Sequence, residues 1–176
     1  MEQENELSTL YKLRSILQTD NCLASFISIK SDKTLLVQGT EVDNYEYGAV
    51  FRIGANNVAN NYFKHNPPTP SETEEGIMIV EDEIMPFHKK LTPGTTLYSD
   101  DSDLETVLAL AHPNSKDPKT LNRTDVEVLF GRLSAIIAGR PASMDILPTD
   151  NEFAARLLII REVLHHLGFM QIEYIG

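Results

Sequence analysis

CLASFISIK (Cys22–Lys30), TLLVQ (Thr34–Gln38) and the alternating run from Tyr45 to Ile53 decide the fold of this chain. The first two segments are apolar and β-rich, and only Ser31, Asp32 and Lys33 separate them, a spacing that suits a hairpin. In the third, Tyr45, Tyr47, Ala49, Phe51 and Ile53 alternate with Glu46, Gly48, Val50 and Arg52. Successive strand side chains point to opposite faces, so period-two alternation marks a half-buried strand. The three segments predict an antiparallel meander that ends at Gly54.

Outward from the meander, helices dominate. Upstream, Leu7, Leu10, Leu13, Ile16 and Leu17 recur at helical spacing over Glu4–Leu17. Downstream, Ala55 to His65 reads as a short helix stopped by NPPTP, since proline lacks a donor and restricts its predecessor. Thr69, Pro70 and Glu72 form a capping-box start. The helix they open carries Ile77, Val80 and Ile84 inward, with Met78 and Leu91, and Pro86 kinks or ends it. TPGTTLY is a turn and a short strand, and the stretch from His112 to Leu121 is a loop. Ser102 with Glu105, Thr124 with Glu127 and Thr149 with Glu152 supply three further boxes. In the last helix Phe153, Leu157, Ile160, Leu164 and Leu167, widened by Leu158 and Ile159, describe an arc broad enough for a central helix. Gly168 stops it, and Met170, Ile172 and Tyr174 share one side of a closing strand.

The expected architecture is α+β, in the order α-βββ-α-α-β-α-α-α-β. An antiparallel, possibly mixed, sheet of about five strands is covered mainly on one face by four or five helices. Residues 1–176 form a single domain, within the range one core can organise.

Charge constrains the partners. Fifteen Lys and Arg oppose 26 Asp and Glu, a formal charge of −11, which repels phosphate backbones and anionic headgroups. Neither nucleic acid nor a membrane is the expected partner. No run of about 18 apolar residues is present. The polar start MEQENELSTL lacks the features of a signal peptide, so the expected compartment is the cytoplasm. Cys22 is the single cysteine, so no intrachain disulfide forms, and its place at a strand start reads as a small core residue. Gly131, Ala135 and Ala138 give one helix a small face suited to a homodimer or an internal helix pair.

Three clusters carry chemical possibilities. Asn56, Asn57, Asn60 and Asn61 fill four of six positions directly after a strand, although asparagine is a poor helix former. At i, i+4 spacing they line up amide donors and acceptors, and Arg52, Lys64 and His65 would favour a small anion there. The simpler reading is that they cap and solvate an edge. Asp100, Asp101 and Asp103 precede a helix; they either complement its dipole or converge on magnesium or calcium. Glu162 and His165 make a Glu-x-x-His pair, for which Glu81, Glu83 and His88 are conceivable partners, though His165 and His166 equally suit the negative end of a helix. No nucleophile elbow or phosphate loop is present, and the sequence names no cofactor.

The order of three strands, a helix, a strand and further helices resembles the ribonuclease-H-like arrangement. That resemblance implies an aspartate at the end of the fourth strand helping to hold two metals, the place of Asp100 or Asp101. The first strand, LASFISIK, carries no acid to complete such a set. The leading expectation is a non-enzymatic accessory or regulatory protein, a homodimer acting through a protein contact or a small ligand. The alternative is an enzyme, or a domain binding a small polar ligand or anion, with its site at the asparagine-rich junction.

Overall fold

The computed structural model describes the backbone of residues 2–20, 22–41 and 44–176 and the side chains of residues 9–19, 22–40 and 47–176. The side chains of Leu7 and Tyr45 lie outside the described residues. The meander forms as its alternation predicts. β1 (Ala24–Ile29) pairs antiparallel with β2 (Thr34–Glu41), with Ile29 opposite Thr34 and Ala24 opposite Gly39. β2 pairs in turn with β3 (Asn44–Phe51), with Thr34 opposite Phe51. Phe51 is buried, whereas Gly48, Val50 and Arg52 on the other parity are exposed.

Three further strands extend the sheet beyond β1. β4 (Thr96–Ser99) runs parallel to β1, and β6 (Gln171–Tyr174) runs parallel to β4. β5 (Thr120–Asn122) pairs antiparallel with β6, giving the order β3-β2-β1-β4-β6-β5. The sheet is thus mixed and has six strands. The stretch expected to be wholly loop contributes β5, whose Leu121 is completely buried between two partly or fully exposed polar residues.

β1 has both faces covered, and its parity decides which core each residue joins. Ala24 and Phe26 meet Leu13, Ile16 and Leu17 of α1 (Glu2–Asp20) on one face, with Val37 of β2. Ile27 and Ile29 face the larger core, which α2 (Ala55–Tyr62), α3 (Pro70–Ile84), α4 (Asp103–Ala111), α5 (Arg123–Ile137) and α6 (Asn151–His166) complete. α6 is the central helix its broad apolar arc predicts. Every residue from Phe153 to Ile160 is buried, and α2, α3 and α5 all pack on it. Each fully buried leucine there contributes about 1.5–3 kcal/mol.

Helix starts follow the capping logic but shift in position. The Thr69–Glu72 box forms as read, with both reciprocal bonds present. α5 instead uses Asn122 and Asp125, two residues before the expected Thr124 and Glu127. α6 uses Asp150, whose carboxylate accepts from Phe153 N at 2.9 Å, in place of Thr149. Ser102 sits at the start of α4 without a side-chain cap bond. Cys22, Met78 and Met170 are exposed where a core role was expected. Gly131 is exposed as well, and a Cβ there would meet nothing within 4 Å, so no internal helix pair uses the small face of α5. No helix among the described residues is long and apolar enough to cross a membrane.

Candidate functional site

The sheet order fixes where a ligand crevice belongs. From β1 the chain goes outward to β2 and β3 on one side and then returns to β4 on the other, so β1/β4 is the point where direction reverses. In open sheets flanked by helices, ligands bind outside the carboxyl ends of the strands at such a switch point. Here that place is built from Ser28, Ile29 and Lys30 at the end of β1, Asp101 just after β4, and Arg156 in the first half of α6.

Asp101 is held closely. It accepts from Ile29 N at 2.6 Å and Ser28 Oγ at 3.1 Å, and Lys30 Nζ lies 3.5 Å away. Burial pushes its carboxyl above the ordinary aspartate range, although the Ile29 N–H and the Lys30 charge oppose the shift. Arg156, only 7% exposed, enters the crevice from α6. It donates to Ile29 O at 3.1 Å and pairs with Asp103 at 2.6 Å, with Glu152 at 3.7 Å one turn back. A residual cavity of about 10 Å³, lined in part by Ser99, Asp101 and Arg156, remains between them. Two cations and three carboxylates therefore meet at the switch point, with arginine filling the crevice.

The expected site residues divide into separate groups. Asp100 turns toward α1 and pairs with Lys12 at 3.0 Å, so Asp100, Asp101 and Asp103 face three different partners and do not form one ligand set. At the asparagine-rich junction, Asn56 sits near the crevice. With its amide oriented to satisfy both neighbours, it donates to Glu152 at 3.0 Å and accepts from Ser31 Oγ at 3.1 Å. Asn57 is half-buried, and its backbone N–H, like that of Ala55, is taken by the β1–β2 turn through Ser31 O and Lys30 O. The N-terminus of α2 thus spends the Ala55 and Asn57 donors on the turn rather than on an anion. Asn60 and Asn61 are exposed, as is Arg52. His65 belongs elsewhere: its Nδ1 lies 2.9 Å from Glu72, the capping residue of α3. The thread joining junction and crevice is Asn56–Glu152–Arg156.

Gly54 explains why α2 begins so close to that turn. A Cβ there would lie 2.4 Å from Lys33 N and 2.5 Å from the backbone of Asp32. The residue is glycine because two backbones touch, while its φ of −131° is open to any residue.

Arg156 and Ser28 were absent from the sequence expectations. A signal for Arg156 existed: it is a charge inside the apolar run from Phe153 to Ile160, where only a buried partner makes arginine tolerable.

No family model and no curated protein matches the chain. Solved structures do. A Ppx/GppA family member from Aquifex aeolicus superposes with a TM-score of 0.75 at 16% identity, over 97% of this chain and 59% of its own. A second Aquifex aeolicus structure, the type II variant of a Ppx/GppA phosphatase, gives 0.70 at 18% identity, over 97% and 58%. An exopolyphosphatase from Cytophaga hutchinsonii gives 0.68 at 14% identity, over 92% and 57%. The chain therefore has the fold of these proteins and spans under two thirds of their length. The likeness overturns the reading of the chain as a non-enzymatic accessory protein, because the proteins sharing its fold are named as phosphatases. It is the enzyme alternative that these structures support.

Proposed function

We propose that this chain is a phosphohydrolase-type domain that takes a condensed phosphate or phosphate ester at the carboxyl ends of β1 and β4, in the cytoplasm. The observation that carries the reading is the convergence of Asp101, Lys30 and Arg156 at the switch point of this fold. Lys30 and Arg156 are the groups to neutralise phosphoryl oxygens, Arg156 through its planar fork of donors. Asp101, with its affinity for protons raised by burial, is the carboxylate placed to orient a water or receive its proton. A substrate has to displace Arg156 from Asp103 and Glu152, both more than half exposed and able to remain solvated.

Magnesium, the usual companion of phosphoryl transfer, would find Asp101 as its one carboxylate at the strand ends, because Ser28 stands where a second would complete a pair. That serine favours a second reading of the same crevice, as an anion-binding site without turnover. Orthophosphate release from polyphosphate, with and without Mg²⁺, separates the two. Turnover abolished by Asp101→Asn supports hydrolysis; calorimetric binding of polyphosphate without release supports the second; neither binding nor release rejects the site. The homodimer expected from the small face of α5 stays a proposal, supported by the exposure of Gly131 and tested by light scattering.

A further inference from the structure

At the far end of α6, a second polar cluster lies against α3. Glu162 is completely buried and is i, i+4 from His166, so both side chains lie on one helix face. Glu81 comes from α3 across the helix pair. The imidazole nitrogen His166 Nε2 stands between the two acids, 2.8 Å from Glu81 Oε1 and 3.2 Å from Glu162 Oε2. It can carry one hydrogen, and its hydrogen bond goes to Glu81. Glu162 Oε2 has no hydrogen bond of its own, although its partner Oε1 accepts from Arg161. An unsatisfied carboxylate oxygen at zero exposure is costly, and it points at the same nitrogen.

We propose that Glu81, Glu162 and His166 form a binding site for a divalent transition-metal cation of the zinc class. One ligand atom from each of the three residues lies within 4.8 Å of the others. A nitrogen and two carboxylate oxygens match the zinc donor set, and three protein ligands leave a fourth position open. The cation would take the place between the imidazole and the two acids and satisfy Glu162 Oε2, which the bond from His166 to Glu81 leaves without a partner. Arg161 supports the arrangement: it bonds Glu162 Oε1 and, at 3.0 Å, Glu127 of α5, so it fixes the first carboxylate without entering the cluster. His166 also borders a surface groove of about 790 Å³ that His88 and His165 help to line, so the cluster lies beside a route from solvent. The site cross-links α3 to α6 and is separate from the strand-end crevice.

The test is thermal unfolding of the full chain in a Cys22→Ser background, which removes the exposed thiol as a competing ligand. Zn²⁺ at about a hundredfold excess over Kd is expected to raise Tm by about 5–10 °C. Glu81→Gln and His166→Asn, both at partly exposed positions, should each abolish the rise. Co²⁺ should give the visible absorption of a four-coordinate site, lost in the same variants. An unchanged Tm with no cobalt spectrum overturns the proposal, and so does a rise that survives either substitution.

Discussion

Arg156 is the residue whose removal tests the crevice most directly, and the structure sets the size of the effect. Its interactions differ in worth. Asp103 and Glu152 are 59% and 54% exposed, so water screens both pairs and together they contribute under about 1 kcal/mol. The bond to Ile29 O is buried, and leaving that carbonyl unpaired costs about 1.5–3 kcal/mol. The aliphatic stem packs near Leu104 and Ile160, and its loss to alanine adds roughly 1–2 kcal/mol, held down because the guanidinium's own desolvation cost disappears. Arg156→Ala should therefore lower stability by about 3–4 kcal/mol, and Arg156→Met, which keeps most of the stem, by about half as much. Urea unfolding with an unchanged m-value measures both. If alanine costs less than about 1 kcal/mol, or methionine costs as much as alanine, then the arginine does not fill the crevice in the way the geometry implies.

Gly54→Ala should cost about 1–3 kcal/mol by thermal melting, because the new methyl would collide with the Asp32 and Lys33 backbone; a cost below about 0.5 kcal/mol would show that the turn yields. Acid stability should depend on Glu72 and Asp145. Bonds from Thr69 N–H, His65 and neighbouring amides hold Glu72 at about 2, and Arg132 chiefly holds Asp145 at about 2. Both lie below their ordinary values, so their stabilisation is complete above the unfolded pKa and is lost as pH falls toward 2. Burial shifts Asp101 and Glu162 the other way, so they bind protons first in the folded state and add stability on mild acidification. Glu72→Gln should flatten the acid limb of a stability–pH curve between about pH 4.5 and 2, and an unchanged limb would refute the assignment.

Local signals carried much of this fold. The meander was legible because β1, β2 and β3 are consecutive and their parity repeats without interruption until the register shifts near Gly39. The central position of α6 was legible because its apolar arc is too wide for one neighbour. β5 was not, since a three-residue strand with one apolar member has no measurable period. The caps of α5 and α6 slipped by one or two residues because serine, threonine, asparagine and aspartate cap almost equally well, and several stand side by side. The crevice was hidden for a different reason. It depends on Ile29 meeting Asp101 and Arg156, 72 and 127 positions away, and no periodicity encodes a parallel pairing between β1 and β4. The acids of YSDDS were noticed, but strand alternation sends Asp100 toward α1 and Asp101 toward β1, which splits them. Glu162 was noticed with the wrong histidine: positions i+3 and i+4 both lie on its face, and the arrival of Glu81 from α3 selects His166.

α6 connects these observations physically. A helix buried along most of its length can carry ionised groups only where other elements bring partners to it. Near its start the partner is the carbonyl end of β1, and the result is Arg156 lodged in the crevice. Near its end the partner is the acidic face of α3, and the result is His166 set between Glu162 and Glu81. Arg156 stands six positions from Glu162 and ten from His166, roughly 9 and 15 Å along the axis, and the two groups have no residue in common. Groups so separated contribute to stability independently. The strand-end crevice and the α3–α6 cluster can therefore be judged one at a time: a chain that leaves polyphosphate untouched can still hold zinc, and one that ignores zinc can still bind phosphate.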